Sequence, residues 1–115
     1  MIKAGLEPAG STDVTGVYLE NTNPMKAIYA TVTRNSDAGK FEPEQALTVT
    51  ESLKMWTIWA AKSLGEENLK GSIEPGKYAD MTVLSDDILT IDPAKIIDIK
   101  IERTIVGGTN VYSRK

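Results

Sequence analysis

The chain has 115 residues, 41% of them hydrophobic and 25% charged, with a formal net charge of −3. This is one domain's worth of chain, able to bury roughly two-thirds of its unfolded surface, and a weakly acidic surface without a basic cluster offers no electrostatic case for nucleic acid or an anionic membrane as partner. Cysteine and histidine are both absent, which removes disulfides, thiolate and imidazole metal sites, the Ser-His-Asp triad and the Cys-His dyad together.

No apolar run approaches the roughly 18 residues of a membrane span, and Met1-Ile2-Lys3 is not followed by an apolar signal core. A soluble, cytoplasmic protein is the expectation. Ile2-Lys3-Ala4-Gly5 has the form of a helix end, with Gly5 as a left-handed cap. Leu6 to Gly10 could form a brief strand, which Pro8 demotes because it cannot donate to a ladder. Ala9-Gly10-Ser11-Thr12-Asp13 then places a carboxylate where that strand would end.

Asn23-Pro24 combines an N-cap side chain with proline at the first helical position. Met25, Ile28, Tyr29 and Val32 follow at helical spacing and predict a helix to Arg34. Asn35 to Ala46 reads as a polar loop. Thr48-Val49-Thr50-Glu51 is a capping box opening a second helix over 48–64, closed by Gly65, with Val49, Leu53, Trp56, Ala60 and Leu64 as its buried stripe. Met55, Ile58 and Trp59 lie off that stripe, so this helix wants neighbours on two sides.

Pro75-Gly76 is the sharpest turn signal, of type II, with proline presetting φ and glycine supplying the positive φ that follows. Tyr78 to Leu84 reads as a largely apolar strand. Asp92-Pro93 starts a short helical turn. Ile99 to Val106 alternates as a second strand, and Gly107-Gly108 predicts a type I′ hairpin into Thr109–Ser113. The fold class is therefore α+β: two main helices beside a small antiparallel sheet.

Candidate chemistry is sparse. Asp13 follows a Gly-Ser-Thr run at a predicted strand end, where it either caps a turn or serves as a catalytic carboxylate. Asp86, Asp87 and Asp92 carry hard oxygen ligands, but their spacing does not match a calcium loop and they read as solvated turn residues. Glu66 and Glu67 read as a charged helix-end loop. Trp56 and Trp59, three residues apart on an apolar helix, read as packing residues rather than a binding platform. No glycine cluster matches a phosphate-binding loop.

A family resemblance adds what composition cannot. Gly71-Ser72-Ile73-Glu74-Pro75-Gly76-Lys77-Tyr78-Ala79-Asp80, with the later Thr104-Ile105-Val106-Gly107-Gly108, resembles the C-terminal end of the amidohydrolase superfamily, and within it the family 3 branch. Asn23 to Arg34 is similar to the segment after the last barrel strand, and Leu47 to Ala61 to the helix before the tail, so the resemblance covers nearly the whole chain. It implies that residues 1–70 are the end of a (β/α)8 barrel and 71–115 are part of a β-sandwich built from both chain ends. It also implies a metal-dependent hydrolase of carbon–nitrogen bonds, its divalent metal (zinc being the expectation) held by barrel histidines and a last-strand aspartate. Gly10-Ser11-Thr12-Asp13 matches that last position, which makes Asp13 both the expected metal ligand and the expected base, although many members read Gly-Ser-Asp without the threonine.

This chain departs from the family in having no histidine. It therefore reads as a C-terminal fragment, inactive alone, whose partner is the missing N-terminal part of a parent enzyme. The alternative is a stand-alone interaction or regulatory domain. Three strands with two open edges are marginal, so a homo-oligomer, dimeric or strand-swapped, is expected on either reading.

Overall fold

Asn23 opens the first helix as its sequence dictates. In the computed structural model, which describes residues 2–12, 22–36 and 38–115, its side chain accepts the Met25 N–H at 3.0 Å, and α1 runs Pro24–Thr33. Met25 and Ile28 are buried, and Tyr29 and Val32 pack beside them, the stripe that the spacing predicts. The helix stops at Arg34, whose φ of 58° is left-handed and whose N–H returns to the Ala30 carbonyl. The loop after it contains a small ladder that composition did not foresee, β1 (Asn35–Ser36) against β2 (Gly39–Lys40).

The capping box forms in full: Thr48 Oγ1 accepts the Glu51 N–H, and a Glu51 oxygen accepts the Thr48 N–H at 2.8 Å. The helix that follows is not continuous. It is α2 (Val49–Trp56) and α3 (Ile58–Ser63), divided at Thr57 with φ −127° and ψ −101°. Thr57 Oγ1 donates to the Leu53 carbonyl at 2.8 Å, the back-bonding by which a hydroxyl competes with the helix ladder. The break changes the helical phase, so the stripe expected over 48–64 fails at its far end. Leu64 is 70% exposed, whereas Trp59 and Ala61 are buried. The end itself is a Schellman motif: Glu66 N–H reaches the Ala61 carbonyl, Gly65 N–H the Lys62 carbonyl, and Gly65 has φ +69°.

Helices α1 and α2 are joined by a hydroxyl pair that periodicity could not show. Ser52 is fully buried, and its Oγ lies 2.7 Å from Thr31 Oγ1, which donates to the Ile28 carbonyl. The Leu47 N–H adds a bond to the Thr31 carbonyl.

The turn at Glu74–Lys77 forms with Gly76 at φ +91°. Strand β3 is Met81–Leu84, three residues shorter than the Tyr78 start expected for it. The lost residues have other partners: Tyr78 N–H bonds the Leu69 carbonyl, Ala79 C=O accepts from Gly108, and Asp80 Oδ1 accepts from Gly107 at 2.8 Å. The last two bonds latch the start of β3 to the hairpin between β4 (Ile101–Val106) and β5 (Thr109–Ser113). Both hairpin glycines have positive φ, as a type I′ turn requires. The sheet is antiparallel in the order β3-β4-β5, with Thr82 opposite Thr104 and Thr104 opposite Tyr112.

The core does not lie under the sheet. It gathers Met25 and Ile28 of α1 with Ile88, Ile96 and Ile99 from the segment around the Pro93–Asp98 turn, and Leu84 is the strand residue packed against it. Residues from both sides of position 70 thus share one cluster. Strand β5 is exposed throughout, and Val83, Val106, Val111 and Tyr112 present apolar surface to solvent.

Candidate functional site

Asp13, the one residue singled out as catalytic and metal-binding, lies outside the described residues. The segment leading to it is described and firmly placed. The Gly10 N–H donates to the Met55 carbonyl at 2.8 Å, and a Cβ at Gly10 would sit 2.8 Å from Trp56 Cε2. Real Cβ atoms do not approach so closely, so the chain runs directly over the indole because position 10 has no side chain. Upstream, Glu7 pairs with Lys62 of α3 at 2.6 Å, each side chain close to half exposed, a contact of small energetic worth.

The other side of the same helix break receives the chain on its way to the sheet. A Cβ at Gly71 would meet Ala61 Cβ at 2.8 Å and Ile58 Cα at 2.9 Å. Gly71 therefore supplies close approach as well as a positive φ of +92°. The turn that follows is organised by a polar triangle: Lys77 Nζ donates to Ser72 Oγ at 2.6 Å, Ser72 Oγ donates to Glu74 Oε1 at 2.7 Å, and Lys77 lies 3.7 Å from Glu74. The Ser72 hydrogen bond, with Lys77 behind it, holds the Glu74 carboxyl below its ordinary range. Near the helix end, Glu66 pairs with Lys70 at 2.6 Å and raises the lysine above its usual value.

The remaining acidic candidates have structural duties. Asp87 Oδ1 accepts the Leu89 N–H, Asp92 Oδ1 the Ala94 N–H, and Asp86 Oδ2 the Ser85 hydroxyl. Trp59 is buried as packing, and Trp56 packs against the core while its ring meets Gly10. An open depression of about 310 Å³ lies beside Ile2, Pro8, Arg34, Glu42 and Met55; its charged pair, Arg34 and Glu42, is 4.0 Å apart. Among the described residues no three histidine, cysteine, aspartate or glutamate side chains come together to hold a metal ion. With no histidine anywhere in the sequence, the described residues do not by themselves fit a catalytic metal.

Gly10 is the placement that sequence reasoning missed. A glycine directly before Ser-Thr-Asp was its only signal, and nothing local says that a tryptophan forty-six positions later occupies the missing side chain's space.

Comparison with known proteins places these features in context. A family model described as "Amidohydrolase family" matches residues 1–112. YtcJ of Bacillus subtilis is 31% identical over 118 aligned residues, covering 99% of this chain and 22% of the relative. The N-substituted formamide deformylase of Arthrobacter pascens is 33% identical over 116 residues, covering 99% of this chain and 21% of the relative. A crystal structure of an amidohydrolase from Thermotoga maritima superposes with a TM-score of 0.68 at 26% identity, over 98% of this chain and 24% of that one. The chain spans about a fifth of the length of the curated relatives it matches.

Proposed function

Because this chain belongs to the amidohydrolase family, we propose that it works as the C-terminal portion of a metal-dependent hydrolase acting on carbon–nitrogen bonds other than peptide bonds. The observation that carries this reading is a match over almost the whole chain to only a fifth of each relative, in a chain that keeps the Gly10-Ser11-Thr12-Asp13 segment and has no histidine. The bond class is supported by a relative named for deformylating N-substituted formamides, a C–N cleavage.

In this reading Asp13 is the chain's contribution to the site, as metal ligand and base. The metal, proposed to be divalent and most simply zinc, needs imidazole ligands that only another part of the protein can provide. The chain alone is then inactive. The exposed apolar residues Val83, Val106, Val111 and Tyr112 are the proposed contact with that other part, and the proposed location is the cytoplasm, as expected from the sequence.

A second reading has its own support. Strands β3 and β5 are the two edges of the described sheet, and β5 is fully exposed. Open edges of this kind pair with further strands, so a stand-alone interaction domain that oligomerises through them is the alternative.

Two experiments separate these readings. The coding sequence upstream of Met1 should contain a His-x-His following a strand pattern, and an intact frame without one overturns the hydrolase reading. Light scattering on the purified chain should show a monomer or aggregate that becomes a defined complex when the histidine-bearing portion is co-expressed. A stable homodimer indifferent to that portion supports the alternative.

A further inference from the structure

The outer strands of the described sheet, β3 and β5, present two different edges. At β3, the Ala79 carbonyl accepts the Gly108 N–H and the Ser85 N–H donates to the Lys100 carbonyl, both at 2.9 Å. Backbone direction alternates along a strand, so Met81 and Val83 also turn their N–H and C=O groups toward β4. Asp80, Thr82 and Leu84 turn theirs away. Tyr78, of the same phase, already gives its N–H to the Leu69 carbonyl. The register passes from Val83–Arg103 to Leu84–Ile101, which puts the extra residue, Glu102, on β4 and leaves β3 without a bulge.

The β5 edge is irregular. Its register passes from Thr104–Tyr112 to Ile105–Asn110, so Val111 is an extra residue within the strand. The Asn110 amide and the Ser113 hydroxyl meet at 2.8 Å across it. A bulge bends and twists an edge strand away from further pairing. The regular edge is therefore 80–84, where Asp80, Thr82 and Val83 are exposed.

This segment is complementary to itself. Antiparallel pairing about a two-fold axis at Thr82 sets Thr82 opposite its own counterpart, Met81 opposite Val83, and Asp80 opposite Leu84. No like charges oppose one another. An axis at Val83 would set Asp80 against Asp86, a destabilising pair. An axis at Met81 would draw in Tyr78, whose N–H is already committed.

We propose that the β3 edge is the self-association surface of this chain and that its occupant is β3 of a second copy, paired antiparallel about Thr82 into one continuous sheet. The proposal rests on the second reading above, oligomerisation through open strand edges, and assigns that reading its edge and register.

The experiment is sedimentation velocity over a concentration series on the 115-residue chain, comparing wild type with Thr82→Pro and Ser113→Pro. Proline removes one N–H and is tolerated in an edge strand where that N–H faces away from the ladder. Thr82 meets this condition by its phase. Ser113 meets it because the next residue, Arg114, gives its N–H to the Glu102 carbonyl. Thr82→Pro should weaken dimerisation at least tenfold and Ser113→Pro less than twofold, both with the circular dichroism of the wild type. A cysteine pair gives a second readout, since the chain has no cysteine of its own. Opposed residues of a hydrogen-bonded antiparallel pair have Cα atoms about 5.5 Å apart, within disulfide range. Thr82→Cys should thus oxidise to a covalent dimer at least tenfold faster than Ser113→Cys.

A wild-type chain that stays monomeric at every concentration would overturn the proposal and the second reading together. A dimer that survives Thr82→Pro would overturn the β3 assignment alone and leave the second reading standing. If Thr82→Pro fails to fold, the cysteine variants decide, and equal oxidation rates overturn the assignment.

Discussion

Gly71 and Gly76 share a left-handed backbone, with φ of +92° and +91°, yet they stand in different surroundings. A Cβ at Gly76 meets open space, whereas one at Gly71 collides with Ala61 and the Ile58 backbone. Gly76→Ala should therefore cost only the left-handed penalty, about 1–2 kcal/mol, and Gly71→Ala should cost more, about 3 kcal/mol or above, as overpacking is added to strain. Urea denaturation of the two variants checks the order. The turn role of Gly76 was legible in the sequence; the close approach of Gly71 was not, because it depends on where a distant helix break lies. At the same scale, Glu74 has its carboxyl pKa lowered by Ser72 and Lys77. A depressed carboxylate stabilises the fold above its unfolded pKa, near 4.5, and loses that contribution as pH falls through the folded value. Glu74→Gln should thus be less stable than wild type at pH 7, and the gap in melting temperature should narrow as the pH falls below 4.5.

The helices show where local chemistry decides and where it does not. Asn23-Pro24 and the Thr48/Glu51 box were readable because each N-terminus is settled within four residues of chain. Thr48→Ala should lower stability by about 1 kcal/mol, measured by circular dichroism during thermal unfolding. The break at Thr57 was not readable, since a threonine inside an apolar periodic run bonds either to solvent or back to its own helix, and the choice follows from packing. Thr57→Ala removes the bond to Leu53 and should leave the break in place if Gly71 and Ala61 hold it, with helical ellipticity within a few per cent of wild type; a clear rise would assign the break to the hydroxyl. The short start of β3 has a similar cause. Tyr78, Ala79 and Asp80 carry a strand-like pattern, but their backbone and side-chain groups are committed to Leu69 and to the Gly107-Gly108 hairpin.

At the scale of the molecule, the fold is asymmetric. One core joins α1, α2 and the Pro93–Asp98 turn, and the sheet stands beside it with apolar side chains uncovered. Along the alternating face that begins at Ile99, Ile99 is buried and Ile101 and Ile105 are half-buried, whereas Val83, Val106, Val111 and Tyr112 elsewhere on the sheet are exposed. The α+β class and the family were legible from ordered motifs, but the site was not, since its one proposed residue, Asp13, lies outside the described residues. Val111→Lys, on fully exposed β5, should leave the chain's own melting temperature within about 3 °C, as surface changes away from special features do, while weakening the proposed complex with a histidine-bearing portion. The most direct measurement is the metal content of that complex by mass spectrometry of the bound ion, for wild type and Asp13→Asn. If Asp13 is a metal ligand, the wild-type complex should hold a stoichiometric divalent metal, the chain alone should hold none, and Asp13→Asn should cost at least tenfold in affinity; equal metal content in the two complexes would rule that role out.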